Sequence, residues 1–318
     1  MAVTPAPAPP GGPSAREVFG APRRRLGERA IAVALAAAAA FSVLITVGII
    51  VSLTGETLAF FADKAVRVGQ FLTGAQWSPL FADPQFGIRP LVQGTLIITL
   101  IAMVVAVPLG IGTAAYLSEY ASPRVRNAVK PTLELLAGVP TVVFGYFALT
   151  FFTPKILNDL LGLEVSVFNG LAGGIIVGVM IIPTVASVAE DAMAAVPQAL
   201  REGAYGMGAS RRQVVVRVVI PAALSGIVAA VVLGASRAVG ETMIVLIAAG
   251  QVPTVSLNPL KPMETMTAFI GATGKGDVPT GSTGYKAIFA VGFTLFVITL
   301  LINLVSIRFV RKYRQVYE

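Results

Sequence analysis

Six apolar runs dominate this chain and dictate the solvent in which it folds. They cover about Ala30–Thr54, Leu91–Leu117, Leu133–Thr153, Leu171–Val188, Ala222–Gly250 and Ala287–Phe309. At ~1.5 Å of rise per residue, a helix of about 20 residues crosses the hydrocarbon core of a bilayer, and each run is of that order. With 13% charged residues against 55% hydrophobic ones, too little charge is present to cover a soluble surface. The chain therefore reads as an all-α integral membrane protein of six spans, and an even number of crossings returns both termini to one side. Pro108, Pro140 and Pro183 fall inside three of the runs. Packed neighbours in a bundle can satisfy the backbone groups that proline frees.

The first 29 residues form an Ala/Pro/Gly tract followed by Arg23, Arg24, Arg25 and Arg29. Such a leader cannot bury a core and is expected to be disordered, leaving residues 30–318 as a single transmembrane domain. The run after it is too long for the apolar core of a signal peptide, so it reads as an uncleaved first span. Lys and Arg counts orient the bundle. Sixteen of the 24 lie on the side of the N-terminus, seven on the other, and Arg237 lies within a span. That bias predicts both termini in the cytoplasm. The net charge of +8 is then explained by basic loops facing anionic lipid, without nucleic acid. The outer segments are expected to carry interfacial aromatics around Trp77, and the Met263–Ala272 stretch is expected to lie along the interface.

The chain has no histidine and no cysteine. That excludes disulfides, thiolate metal sites and histidine-assisted hydrolysis, so no catalytic residue and no metal ligand is expected. One polar island stands out between the fourth and fifth runs. Glu202-Gly203-Ala204 is followed by Gly208 six positions after the Glu, and by Val218-Val219-Ile220-Pro221. Small residues at 204 and 208 permit close backbone approach, and glycine supplies the turn between two short helices. This spacing resembles the EAA loop of ABC importer permeases, with Gly203 in place of the first alanine. The resemblance implies a cytoplasmic coupling helix that docks on an ATPase. The chain itself lacks a P-loop: Gly274-Lys275-Gly276 has no Ser or Thr after the Lys and no glycine at the first position. ATP and Mg are expected on a separate partner, with no cofactor bound here.

Arg237 and Glu241 sit near the middle of the fifth run, where a charge costs about 2.5–3.5 kcal/mol on insertion scales. At i, i+4 on one helix they would share a face and could pair. Either they lock the bundle as a buried ion pair, or the guanidinium lines an anion pathway with Glu241 as counter-charge. A carboxylate there could also accept a hydrogen bond from a protonated oxyanion such as phosphate, which sulfate lacks at neutral pH. The stretch Leu136–Gly145, with Gly138, Pro140 and Gly145, reads first as packing and second as pathway lining. Glu134, Glu190 and Asp191 are expected at the membrane boundary.

The EAA-type loop, the Arg237-Ala238-Val239-Gly240-Glu241-Thr242-Met243 string, Leu136–Gly145, and Tyr285–Gly292 with the basic tail ending Val316-Tyr317-Glu318 together resemble PstC-type permease subunits of bacterial phosphate ABC importers. The resemblance covers roughly residues 90–318. It implies the MetI-like, six-span type I importer fold in the inner membrane. It also implies a pathway shared with a homologous PstA-type permease, a PstB-type ATPase dimer, a PstS-type phosphate receptor, and transport roles for Arg237 and Glu241. A permease for another oxyanion, a secondary transporter or channel, and a membrane scaffold are the rival readings. Internal repeats and several intramembrane carboxylates, which would mark a secondary transporter, are not evident.

Overall fold

A computed structural model describes residues 26–275 and 278–313. The leader up to residue 25 and the tail from residue 314 lie outside the described residues. Helix α1 spans Leu26–Phe61 and is followed by the short α2, Val68–Thr73. Two-residue strands β1, Trp77–Ser78, and β2, Gln85–Phe86, pair antiparallel as a small hairpin. Then come α3 (Arg89–Tyr120, its last turn widened to π geometry), α4 (Pro123–Ala137), α5 (Thr141–Leu160) and α6 (Gly170–Ala194). The remaining helices are α7 (Gln198–Gly206), α8 (Arg211–Ala222), α9 (Leu224–Val239), α10 (Met243–Ala248), α11 (Met266–Thr273) and α12 (Thr283–Tyr313).

Four helices, α1, α3, α6 and α12, are each long and apolar enough to cross a membrane. Two further crossings are bent: α4 meets α5 at 86°, and α8 meets α9 at 72°. With each bent pair counted as one crossing there are six among the described residues, the number of the apolar runs, but two have different bounds. The third is α5, about 30 Å long, and begins eight residues later than expected. The expected start at Leu133 belongs to α4, an amphipathic helix carrying Arg124, Arg126, Lys130 and Glu134 with no buried residue. Pro140 explains the break, because the residue before a proline is driven out of the α region. The fifth crossing is interrupted after Val239 and resumes as α10.

The chain divides into two compact units, residues 1–52 and 53–318. In the first, the described side chains of α1 from Glu28 to Ile49 are exposed. An apolar helix of this kind is solvated by lipid tails. In the second unit, α3 and α6 form the centre, α9 packs on both, α12 packs on α9, and α5 packs on α10. The α3–α6 contact depends on small residues. A Cβ on Gly178 would lie 2.8 Å from the Ala102 carbonyl oxygen, and one on Gly174 would lie 2.7 Å from the Ile101 Cβ. Backbones this close gain dispersion where no hydrophobic effect drives helix association.

The aromatics expected at the interface instead form a core. Phe60, Phe71, Trp77, Phe86 and Phe269 are buried together, in edge-to-face pairs with centroids 5.0–6.5 Å apart. Helix α11 is likewise buried rather than interfacial: Met266, Ala268 and Phe269 are inside. Its N-terminus is held by Thr95 of α3, whose hydroxyl accepts from the Met266 N–H at 3.0 Å. The Gly94 site beside it has no room for a Cβ, which would fall 2.2 Å from the Glu264 carbonyl oxygen.

Overpacking at the α3–α6 contact costs about 1–3 kcal/mol. Gly178→Val is therefore expected to lower the thermal midpoint in detergent by several degrees. Gly112→Ala on α3, where a Cβ meets nothing within 4 Å, should leave it unchanged or raise it.

Candidate functional site

The sequence predicts a helix, a glycine turn and a second helix at residues 202–221, and the structure has that arrangement. Helix α7 starts after Pro197 and runs to Gly206. Gly208 then takes φ +82°, a left-handed conformation that a side chain would strain. Ser210 opens α8 with a capping box: its hydroxyl accepts from the Gln213 N–H, and the Gln213 side chain accepts from the Ser210 N–H. Ala204 is buried, while Glu202, Gly203 and Gly208 lie on the exposed side. A methyl at Gly203 would meet nothing within 4 Å, so the departure from Glu-Ala-Ala leaves the packing of α7 untouched. Pro221 sits in the last turn of α8, just before the 72° bend.

The residue that fixes α7 is Arg201. It is buried and pairs with Glu119, on the widened last turn of α3, at 2.9 Å from Nη2. Its guanidinium also donates to the Met193 carbonyl at 2.8 Å and to the Val196 carbonyl, both at the end of α6. One side chain thus joins α7 to the ends of α3 and α6. A second knot lies close by in sequence. Glu190, 1% exposed on α6, accepts from Arg126 and from Lys130 (2.8 Å) of α4, and Lys130 also reaches Asp191 at 2.9 Å. The available signal for both knots was a carboxylate ending an apolar run, but its partners lie 60 to 82 residues away in sequence.

Arg237 and Glu241 do not form the i, i+4 pair that a continuous helix would give. Helix α9 ends at Val239, and no ion pair joins the two among the described residues. Arg237 is half-buried, and its Nη1 donates to the Thr184 hydroxyl at 2.8 Å, next to Pro183 of α6. That single hydrogen bond uses one of five guanidinium N–H donors. Glu241 is buried, and its Oε1 accepts from the N–H groups of Met243 (3.0 Å) and Ile244 (3.1 Å). It therefore caps α10. The Glu241 carbonyl accepts from the Thr267 hydroxyl of α11 at 2.6 Å. Gly145 of α5 lies under α10, with room for no more than a tight Cβ: Ile247 Cβ would be 3.1 Å away and Ile244 Cα 3.2 Å. Leu136–Gly145 therefore contains a helix break followed by a packing glycine.

A further carboxyl was not singled out from sequence. Glu264, just before α11, is 6% exposed, and burial pushes its pKa from 4.5 up to about 7. No hydrogen bond or ion pair to its side chain exists among the described residues. It lines a cavity of about 270 Å³ together with Trp77 and Phe269.

Among known proteins, the family model for the binding-protein-dependent transport system inner membrane component matches residues 106–315. The phosphate transport system permease protein PstC of Mesorhizobium japonicum is 33% identical over 278 residues, covering 80% of this chain and 83% of that one. PstC 1 of Mycobacterium tuberculosis is 35% identical over 287 residues, covering 79% and 85%. The chain belongs to this family, as a PstC-type permease. A probable ABC transporter permease of Bacillus subtilis, YqgH, is 34% identical over 304 residues, covering 95% of this PstC-type chain and 97% of its own. Among solved structures, a bacterial alginate ABC transporter in complex with its pentasaccharide-bound periplasmic protein superposes with a TM-score of 0.64 at 18% identity, covering 93% and 100%. The inward-facing MetNI methionine transporter gives 0.54 at 20%, covering 72% and 95%. At these identities the likeness concerns the fold, which is that of a MetI-like type I importer permease.

In the PstC-type permease, removing one partner of a buried ion pair leaves the other uncompensated, at a cost of about 3–5 kcal/mol. Arg201→Ala and Glu119→Ala are each expected to lower the thermal midpoint strongly. The double substitution should cost less than the sum, and additivity in that cycle would mean the pair is not coupled. Glu264 adds a pH dependence. Below pH 4.5 it is protonated folded or unfolded. As pH rises from 4.5 through 7 the unfolded chain ionises first, and folded stability falls by about 3 kcal/mol in total. The wild-type midpoint should therefore decline between pH 5 and pH 8 relative to Glu264→Gln; parallel curves would contradict the burial.

Proposed function

We propose that this permease is a membrane subunit of an ATP-driven inorganic phosphate importer, with both termini in the cytoplasm. Arg237 carries the reading. A half-buried guanidinium on a transmembrane helix, with one neutral hydrogen-bond partner and no counter-ion among the described residues, is a charge left open for an anion. Its planar fork suits a tetrahedral oxyanion. The names of the PstC relatives favour phosphate as that anion.

In this reading the pathway forms between this chain and a homologous PstA-type permease. The exposed apolar side chains of α5, among them Val142, Val143, Tyr146 and Phe147, supply surface for that contact. A PstB-type ATPase dimer binds ATP and Mg and grips the exposed face of α7 through Glu202, Gly203 and the Gly208 turn. A PstS-type receptor delivers phosphate from outside. ATPase closure displaces α7, and the Arg201–Glu119 pair passes that displacement to the end of α3 and so to the centre of the bundle. The 72° bend after Pro221 carries it to α9, which holds Arg237.

Glu241 acts as cap and as discriminator. Its Oε1 is committed to the N-terminus of α10, and its other oxygen remains to accept a proton-bearing phosphate oxygen. Reconstituted with its partner subunits and receptor, Arg237→Ala should lose at least tenfold in labelled phosphate uptake, with Arg237→Lys intermediate. Wild-type uptake from Arg237→Ala would overturn the reading. Glu241→Gln keeps an oxygen for the cap. It should weaken the preference for phosphate over sulfate about tenfold or more, the value of one charged hydrogen bond of about 1.5–3 kcal/mol.

A further inference from the structure

The cavity that holds Glu264 is lined by a largely buried carboxyl that has no protein partner among the described residues. The Glu264 carboxyl has no hydrogen-bond or ion-pair partner among the described residues, and the Trp77 indole Nε1 is fully buried without an acceptor. Both line the same cavity of about 270 Å³, which is open to solvent and walled by Trp77, Phe81 and Phe269 with Gln251 and Thr273 at its sides. Phe81 is 75% exposed, at the surface. A largely buried carboxyl is normally paired, and one without a protein partner at an open cavity points to a partner from outside.

The chemistry of the walls selects its class. No Lys or Arg among the described residues lines the cavity, so an oxyanion would meet a carboxyl with no compensating charge, and the transported anion is not the occupant. A single carboxylate, with no further charged ligand among the described residues, is a poor cage for a divalent cation. A carboxylate flanked by aromatic rings suits an ammonium or guanidinium group, which gains both the charge-assisted hydrogen bond and the ring faces.

We propose that this cavity is a docking socket for a basic side chain of the soluble receptor, a proposal that rests on the importer reading above. The lining comes from the β1 turn, the loop after α10, and α11, which belong to the segments expected on the outer side of the membrane. Crossing helices contribute none of the residues named here, which favours a soluble partner over a second permease. The socket is also wired inward. Glu264 begins the turn in which the Thr265 and Thr267 hydroxyls lie 3.0 Å apart, and Thr267 holds the Glu241 carbonyl. A cation drawn to Glu264 therefore acts on the turn that supports the broken fifth crossing.

The test uses the complete transporter in liposomes, titrated with purified phosphate-loaded receptor while ATPase rate is read. Glu264→Gln should raise the receptor concentration for half-maximal stimulation about tenfold, with the plateau reached only at higher receptor. The salt dependence of that concentration should flatten, because a charge pair is lost. Glu264→Asp keeps the charge and should recover most of the affinity. Superimposable wild-type and Gln curves, or equal weakening by Asp and Gln, would overturn the socket. A wild-type transporter that no phosphate-loaded receptor stimulates would instead sink the importer reading.

Discussion

A bilayer interior offers no water to a broken helix, so every interruption of the backbone ladder must be satisfied by the protein itself. The regions around the fifth crossing are built on that constraint. Where α9 stops, the Glu241 carboxylate takes over as acceptor for the first N–H groups of α10, and its own carbonyl is met by Thr267. Helix α11, which begins within the core, finds its first acceptors in Thr95 and Thr265. These hydroxyls are spread over α3 and α11, so the break ties together elements distant in sequence. Of these groups, Thr267 also holds Glu241 in place, so local stability and that part of the candidate pathway cannot be varied independently.

At the other end of the bundle the constraint is electrostatic. Arg201 and Glu119 are both buried, and neither could be left alone there. The carbonyls of Met193 and Val196 complete the guanidinium's shell, which converts an expensive charge into a joint among three helices. A short amphipathic helix of nine residues has little intrinsic stability. Tertiary anchoring lets α7 present a fixed exposed face to whatever binds there.

The crossings, the α7 turn and the family were legible in the sequence because each depends on local signals: apolar run length, Gly208 and Pro221 at fixed offsets, and a distinctive motif set. The two interrupted crossings were not. Hydropathy alone treats 222–250 as continuous, since Gly240 and Thr242 do little to lower its mean, and no proline marks the break. Pro140 did mark the other break, yet the run around it suggested a loosened helix rather than a right-angled turn. The fate of Glu241 as a cap depended on where α9 ended, and so was inaccessible from spacing. Burial of the Trp77 cluster was hidden for a different reason. Aromatics at a membrane interface and aromatics in a core look alike in sequence, and only α11 folding back beneath Trp77 separates them. The partners of Glu119 and Glu190 required knowledge of which helix ends meet.

The knots at Glu119 and Glu190 bear on how the chain comes to sit in its membrane. Arg126, Lys130 and Arg201 are three of the cations whose excess predicts orientation, yet in the folded protein each is neutralised by an internal carboxylate. Any influence they have on topology would therefore be exerted while the chain is nascent and those carboxylates lie on segments still apart. Folding then pairs the same charges with those carboxylates, burying Arg201 and leaving Arg126 and Lys130 partly exposed. The orientation that the charge count predicts and the assembly that the ion pairs hold would then draw on one set of residues at different times.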